Sequence, residues 1–288
     1  MSVPVTVDLP DGFRRVAWPG RLGDVAAVHG TPDRARGTAL LIHGFTGSKE
    51  DYFAVLEPLH RLGWSVAAVD LPGMAESEGP DEPAHYSLAG LGADIADMVG
   101  QLAAGPVHVV GHSVGGILAR EAVLLAPELV RSLTLYDSGT ARVGPTAAAD
   151  IELLHAALQH HTPGQVQLLK EAMDETAGNP APPAEIVAFL RERWNDTSPG
   201  HLLGMADIAR SAPDRVSALA ALRRETGLPI MVLYGAQDTD VWDVGDFADL
   251  GRRLQADTVA LPGTGHSPAV EDPAAMVAAL DRFWSEAP

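Results

Sequence analysis

Apolar runs alternate with helix-like apolar spacing along the first half of the chain. The runs Thr38–Ile42 and Trp64–Val69 are continuous, as in strands that are buried on both faces. The segments Val107–Val110 and Val130–Tyr136 are further strand candidates, and helical spacing separates them, as in the segment 87–102. This order predicts an α/β fold with a mostly parallel central sheet that is flanked by helices.

Further strands are predicted at both ends of this pattern. Residues 12–18 and 23–29, which Pro19-Gly20 separates, predict an antiparallel hairpin at the sheet edge. Near the C-terminus the strand–helix order returns, with strands predicted at 229–234 and 258–261 and helices at 244–254 and 272–284.

The segment 141–224 interrupts the alternation, because its apolar spacing is helical only. It contains predicted helices at 151–161, 166–176, 184–194 and 201–212. We therefore predict an α/β core formed by residues 1–140 and 225–288, with an all-helical insertion at 141–224.

The charge of the chain narrows the classes of partner. Lys and Arg number 20 against 38 Asp and Glu, a net charge of -18 that disfavours binding to nucleic acid or to anionic membranes. No stretch approaches the roughly 18 apolar residues of a membrane span, and residues 1–15 lack the apolar region of a signal peptide. The absence of cysteine excludes disulfides and thiol chemistry. We expect a soluble, cytoplasmic protein, monomeric or homodimeric.

The candidate chemistry begins at Ser113, where a predicted strand meets a predicted helix. The pattern Gly111-x-Ser113-x-Gly115 allows a sharp turn that exposes the serine hydroxyl. Such a short pattern also occurs by chance, so its position between a strand and a helix carries the inference.

Two later residues complete a serine–acid–histidine set. Asp238 and His266 each follow a predicted strand, and the carboxyl ends of parallel strands meet at one edge of the sheet. The chain order Ser, Asp, His is that of a nucleophile, an orienting acid and a base on this kind of sheet. Asp137, after the strand that follows the nucleophile, and Asp240 are alternative acids.

The chain resembles the α/β-hydrolase superfamily, of the kind with a helical cap, from about Phe13 to Trp284. The matching motifs are His43-Gly44-Phe45, Asp70-Leu71-Pro72-Gly73, Gly111-His112-Ser113-Val114-Gly115-Gly116, Gly235-x-x-Asp238 and Gly265-His266. The resemblance implies that Ser113 is the nucleophile, His266 the base and Asp238 the orienting acid. It also implies that the backbone N–H groups of Phe45 and Val114 form the oxyanion hole.

The substrate is less well specified than the triad. Many relatives have His-Gly-x-Ser after the second motif, whereas this chain has Met74-Ala75-Glu76-Ser77. The candidates for substrate binding are Phe45, Met74, His112, Trp194 and Trp242, although His43 and His112 are also typical of packing residues beside such a site.

We expect a small to medium apolar ester, lactone or thioester as the acyl substrate. The insertion is poor in basic residues, and Lys170, Arg191, Arg193 and Arg210 are its main candidates for contacting a charged carrier. A carbon–carbon bond hydrolase, a cofactor-free perhydrolase or a slow ligand receptor would keep the same triad. Epoxide hydrolase and dehalogenase chemistry is disfavoured, since both need a carboxylate at the position of Ser113. No metal or nucleotide motif is present in the sequence, so we expect no cofactor.

Overall fold

The described residues, 3–102, 105–239 and 241–287 of a computed structural model, form one eight-stranded sheet. The strands are β1 (Arg14–Gly20), β2 (Gly23–Gly30), β3 (Gly37–Ile42), β4 (Trp64–Val69), β5 (Val107–His112), β6 (Val130–Tyr136), β7 (Ile230–Gly235) and β8 (Asp257–Leu261). Their order in the sheet is β1-β2-β4-β3-β5-β6-β7-β8, and only the β1/β2 and β2/β4 pairs are antiparallel.

The central strands are buried because both faces of the sheet are covered. Every residue of β4, β5 and β7 is buried. Side chains alternate between the two faces, so that Leu40 and Ile42 of β3 enter one apolar cluster while Ala39 and Leu41 enter the other. The uninterrupted apolar runs of the sequence therefore reflect two cores on opposite sides of one sheet.

Helices form the layers on each side. The helices are α1 (Phe53–Arg61), α2 (Leu88–Leu102), α3 (Val114–Leu125), α4 (Pro145–Leu158), α5 (Pro163–Ala177), α6 (Ala184–Asp196), α7 (Pro199–Ser211), α8 (Val216–Thr226), α9 (Val244–Leu254), α10 (Pro268–Glu271) and α11 (Pro273–Glu286). One apolar cluster includes buried residues of α2, α3, α8 and α9, and the other includes residues of α1 and α11.

The insertion between β6 and β7 is all-helical, as the sequence predicts. Its helices α4 to α7 build a small cluster of their own from Leu158, Val166, Trp194 and Leu202. The N–H of Ser198 donates to the carbonyl of Gly73 at 2.8 Å, and the N–H of Ala75 donates to Thr197 Oγ1 at 3.1 Å. These bonds attach the insertion to the loop after β4.

Two local predictions need correction. The hairpin turn lies at Arg21-Leu22, whereas Pro19 and Gly20 belong to β1, where proline is tolerated because this is an edge strand. Helix α8 falls largely inside the segment 141–224 without having been predicted, and it contacts α3 and α9. The division into a core and a cap at residues 141 and 224 stays a prediction.

None of the helices in the described residues is long and apolar enough to cross a lipid bilayer.

Candidate active site

Ser113 lies on a strained turn between β5 and α3. Its backbone has φ +53° and ψ −125°, which costs free energy for a residue with a side chain. The flanking glycines leave room for this turn: a Cβ on Gly111 would lie 2.6 Å from the carbonyl oxygen of Gly115, and a Cβ on Gly115 would overlap the carbonyl oxygen of His43. The turn thus depends on glycine at both positions.

The loop after β3 packs directly against this turn. A Cβ on Gly44 would lie 3.1 Å from the Cβ of Ser113. His43 Nδ1 donates to the carbonyl of Gly44 at 2.7 Å, while His43 Nε2 accepts from the N–H of Leu71 at 2.9 Å. Burial lowers the pKa of His43 to about 3, so its ring is neutral and holds two loops together. The loop that contains Phe45 therefore lies against the serine turn, and the place of its N–H in an oxyanion hole stays a prediction.

His266 and Asp238 form a close pair. His266 Nδ1 donates to Asp238 Oδ2 at 2.7 Å, which leaves Nε2 as the nitrogen that is free to accept a proton. The Asp238 side chain is fully buried, whereas 24% of the His266 side chain is exposed. The position of this pair after β7 and β8 agrees with the sequence prediction.

Glu271, which the sequence analysis did not single out, stabilises the His266 loop. Its carboxylate accepts from the N–H of Gly265 at 2.5 Å and from the N–H of Ser267 at 2.9 Å. Glu271 ends the short helix α10. The contacts of Glu271 depend on how this loop folds, and no sequence motif includes Glu271.

His112 connects the serine turn to the histidine loop. Its Nε2 donates to the carbonyl of His266 at 2.7 Å, and the two rings lie 4.9 Å apart. The ring also stacks on Tyr136 at 4.4 Å. Burial and the neighbouring His266 lower the pKa of His112 well below its usual value. These contacts are those of a packing residue, and contact between His112 and substrate stays a prediction.

Asp137, the alternative acid, lies beside the pair. It directly follows β6, its backbone is in the left-handed region at φ +42°, and its Oδ1 accepts from the N–H of Gly235 at 2.9 Å. One side-chain ligand atom from each of Asp137, Asp238 and His266 lies within 4.8 Å of the other two. The hydrogen bond of His266 Nδ1 goes to Asp238. Asp240 lies outside the described residues.

The candidate substrate-binding residues differ in their position. The Trp242 ring is 6.2 Å from the His266 ring. Phe45 packs against both the sheet core and the cluster that contains Trp194. Met74 lies in the loop after β4, where its sulfur accepts from Thr197 Oγ1 at 3.5 Å. Met74, Trp194 and Trp242 are almost fully buried, so their contact with substrate stays a prediction.

Polar residues of the insertion form hydrogen bonds with the loops that border the site. His201 Nδ1 donates to the carbonyl of Pro72 at 2.8 Å, and burial lowers the pKa of His201 to about 4. Arg193 is buried and donates to Ser48 Oγ at 3.2 Å and to Asp51 at 3.4 Å. Arg193 therefore lies inside the molecule, contrary to its expected place among residues that face a charged carrier.

A cavity of about 810 Å³ opens elsewhere, between the loop after β4 and the ends of the insertion helices. It is lined by residues from the segments 73–81, 158–165 and 195–199. Ser113, Asp238 and His266 are not among its lining residues, so the cavity does not mark the place where an acyl group would react.

Comparisons with known proteins agree with this fold. The sequence is 36% identical over 98 residues to the dihydrolipoyllysine-residue acetyltransferase component of the acetoin cleaving system of Cupriavidus necator. The aligned residues are 34% of this chain and 25% of that protein. It is 31% identical over 150 residues to the proline iminopeptidase of Lactobacillus delbrueckii subsp. bulgaricus, which is 50% of this chain and 48% of that enzyme. The chain thus spans half or less of the length of these curated relatives.

Similarity to solved structures extends over the whole fold. A thermophilic esterase from Thermogutta terrifontis matches with a TM-score of 0.73 and 23% identity, covering 95% of this chain and 99% of that one. At this identity the likeness shows the fold alone. A model of the alpha/beta hydrolase family matches residues 39–280, and this chain therefore belongs to the alpha/beta hydrolase family.

Proposed function

We propose that this protein is a serine hydrolase that cleaves a small to medium apolar ester, lactone or thioester through an acyl-enzyme on Ser113. The observation that carries the proposal is the 2.7 Å hydrogen bond between His266 and Asp238. The loop of His266 is bonded to His112, the residue before Ser113 on its strained turn. A nucleophile, a base and an orienting acid are the groups that acyl transfer by serine requires.

In the proposed mechanism, Ser113 Oγ attacks the substrate carbonyl carbon while His266 Nε2 takes the hydroxyl proton. Asp238 holds the imidazole in the tautomer with a proton on Nδ1 and stabilises the imidazolium that forms. The N–H groups of Phe45 and Val114 donate to the oxyanion, and the N–H of Val114 is available because the first amides of a helix have no partner within it. His266 then protonates the leaving group, and a water molecule that it activates releases the acyl group from Ser113.

The proposed preference for uncharged substrates rests on the basic residues of the insertion. Lys170 pairs with Asp174, and Arg191 Nη2 lies 2.6 Å from Glu171 Oε2. Arg210 pairs with Glu152 and Asp207. Since Arg193 is buried, none of these four residues is a ready partner for a phosphate-bearing carrier.

Labelling with a fluorophosphonate probe tests the nucleophile. We expect the wild-type protein to be labelled and the Ser113→Ala variant to remain unlabelled, because the probe forms a covalent bond with an activated serine. A wild-type protein that resists labelling, or an alanine variant that is labelled equally, would show that Ser113 is not an activated nucleophile.

A series of p-nitrophenyl esters of increasing acyl length tests the substrate class, with Ser113→Ala as the background control. We expect turnover that reaches a maximum at short or medium chains. Labelling of Ser113 without turnover of any ester would contradict the proposed substrate class. It would favour a carbon–carbon bond hydrolase, a perhydrolase or a ligand receptor with the same triad.

A further inference from the structure

Two buried carboxyl groups meet beneath the proposed base. Asp137 follows β6 and Asp238 follows β7, and these neighbouring parallel strands pair Tyr136 with Leu233. Both carboxyl groups are almost fully buried. Asp137 adopts φ +42°, a conformation that directs the chain away from the strand and that asparagine and aspartate tolerate better than most residues.

Each carboxyl group uses one oxygen in a hydrogen bond to a nitrogen and leaves the other without such a donor. Asp137 Oδ1 accepts from the N–H of Gly235, and Asp238 Oδ2 accepts from His266 Nδ1. Asp137 Oδ2 and Asp238 Oδ1 are both buried and receive no hydrogen bond from an N–H or hydroxyl group of the described residues. One carboxylate oxygen of Asp137 lies within 4.8 Å of one carboxylate oxygen of Asp238. Two neighbouring acceptors are both satisfied when one of them carries a proton that it donates to the other.

Electrostatics favours a single proton on this pair. Burial raises the pKa of Asp137 well above the usual value of an aspartate, against the effect of the Gly235 N–H. The charges of Asp238 and Glu271 raise this pKa further. Asp238 has the better compensation for a negative charge, because His266 becomes an imidazolium during the reaction while Asp137 has only a neutral amide as its N–H donor.

We propose that Asp137 is a protonated positioning residue, whose Oδ2–H donates a hydrogen bond to Asp238 Oδ1, so that the two carboxyl groups share one negative charge. This inference rests on the proposed serine hydrolase function. The proton on Asp137 holds the Asp238 carboxylate in the orientation that receives His266 Nδ1–H. It also reduces the negative charge that Asp238 presents to His266.

Two substitutions at Asp137 test whether this residue acts as a hydrogen-bond donor to Asp238 or as a negative charge beside it. Asp137→Asn keeps a neutral N–H donor and fits the left-handed backbone. Asp137→Gly deletes the side chain, and glycine adopts φ +42° without strain, so failure to fold is not the expected result. The measurement is the pH profile of kcat/KM on a p-nitrophenyl ester, whose acidic limb reports protonation of the base.

We expect Asp137→Asn to retain most of the wild-type kcat/KM and to leave the acidic limb in place. Asp137→Gly should lose about 10- to 100-fold in kcat/KM, the effect of one hydrogen bond to a charged group. Its acidic limb should move to higher pH, because the full negative charge on Asp238 favours the imidazolium.

A shift of the Asn variant to lower pH would show that Asp137 is ionised in the wild type. Equal losses in both variants without any shift would reduce Asp137 to a packing residue. Either result overturns the proposal.

Infrared difference spectra decide the protonation state without any catalytic assay. The wild type minus Asp137→Asn spectrum at pH 7 should contain the carbonyl band of a protonated carboxylic acid. A carboxylate band there, or a divalent cation that EDTA removes with loss of activity, would contradict a proton between the two groups. If the wild type fails the fluorophosphonate test yet shows the acid band, the serine hydrolase proposal fails while the shared proton stands.

Discussion

Single atoms at the serine turn control whether the proposed oxyanion hole can form. A Cβ at residue 115 would overlap the carbonyl oxygen of His43, so either the first turn of α3 or the loop after β3 must shift to accept it. Both segments supply a proposed oxyanion donor, from Val114 and Phe45. We expect Gly115→Ala to lower kcat/KM by about 100-fold or more, the usual effect of losing one donor.

The matched control for this substitution is Gly105→Ala. A Cβ at residue 105 meets no described atom within 4 Å, and we expect no change in kcat/KM. Steady-state assays of both variants on the same ester make the comparison. Wild-type activity in Gly115→Ala would show that the turn tolerates displacement, and that the close approach of the two loops is not required.

Asp238 is the residue whose removal distinguishes the proposed acid from its rival. We expect Asp238→Asn to lower kcat by about 10³- to 10⁴-fold, because an amide that donates to His266 Nδ1 favours the wrong tautomer of the imidazole. The comparison with Asp137→Asn is direct, since both substitutions exchange a buried carboxyl group for an amide on adjacent strand ends. A large loss at Asp137 alone would assign the role of orienting acid to Asp137.

Motif residues were predictable at this scale, and their buried partners were not. Ser113, Asp238 and His266 stand at the ends of strands whose apolar runs are visible in the sequence. The pairing of Asp137 with Asp238 depends on the register of β6 against β7, which no local pattern specifies. Likewise, the place of Arg193 inside the molecule depends on how α6 packs, and charge alone favours exposure.

At the scale of elements, a buried ion network joins the loops after β3 and β4. Lys49 Nζ lies 2.6 Å from Asp70 Oδ2 and 3.0 Å from Glu50 Oε1, and all three side chains are buried. Burial opposes the charge of Lys49, but the nearby carboxylates raise its pKa above the usual range. Burial raises the pKa of Asp70 to about 7, against the attraction of Lys49. The network holds the two loops that border the site.

Removal of the Lys49 ammonium should leave the carboxylates of Asp70 and Glu50 buried without this cation, although the backbone N–H of residue 49 still donates to Asp70 Oδ1. We expect Lys49→Met to lower the free energy of unfolding by about 3–5 kcal/mol, as measured by urea denaturation. The loss should be smaller at pH 6 than at pH 8. Lys49 lowers the pKa of Asp70, so Asp70 in the variant takes up a proton more readily at pH 6, and protonation removes the cost of a buried charge without its cation.

Arg61→Ala is the control for this substitution, since Arg61 forms an exposed pair with Glu57 on α1. We expect it to cost less than about 1 kcal/mol. If Lys49→Met costs no more than Arg61→Ala, then water or a structural rearrangement compensates the buried negative charge in the variant.

Strands were easier to predict than their connections for a physical reason. The β4 and β6 bounds follow directly from residues that must be buried on both faces. Helix α8 was missed because only Val216, Leu219 and Ala220 are buried in it, which is too sparse an apolar face to stand out beside the insertion helices. The hairpin turn was misplaced because Pro19-Gly20 is a turn signal that an edge strand also accommodates.

At the scale of the whole molecule, buried histidines set how stability depends on pH. Burial lowers the pKa of His43 and His108 to about 3 and that of His201 to about 4, and it lowers the pKa of His112 well below its usual value. These rings stay neutral in the folded chain at pH 5, whereas in the unfolded chain they take up protons near pH 6.5. Their contribution to stability is present above pH 6.5 and is lost as the pH falls toward the folded values.

Asp70 and Asp137 have the opposite effect, because burial raises the pKa of each. Their contribution is complete below about pH 4 and declines as the pH rises through the folded values. Since four histidines oppose two aspartates, we expect the free energy of unfolding to fall as the pH is lowered from 6.5 to 5. Replacement of a single buried histidine separates the contribution of that histidine to the pH dependence from those of the other titrating groups.

His108 is suited to that test because it lies far from the proposed chemistry, stacked on Trp284 and bonded through Nδ1 to Ser132 Oγ at 2.8 Å. The wild type should lose about 2 kcal/mol between pH 7.5 and pH 5 through His108 alone, as its unfolded form takes up a proton. Urea denaturation of His108→Gln should therefore show a pH dependence that is smaller than that of the wild type by this amount.

His160→Gln, which replaces an exposed histidine, should leave the pH dependence as it is. An equal pH dependence in His108→Gln and wild type would mean that the buried ring already binds a proton at pH 5, with Ser132 and the two neighbouring tryptophans, Trp64 and Trp284, accommodating its charge.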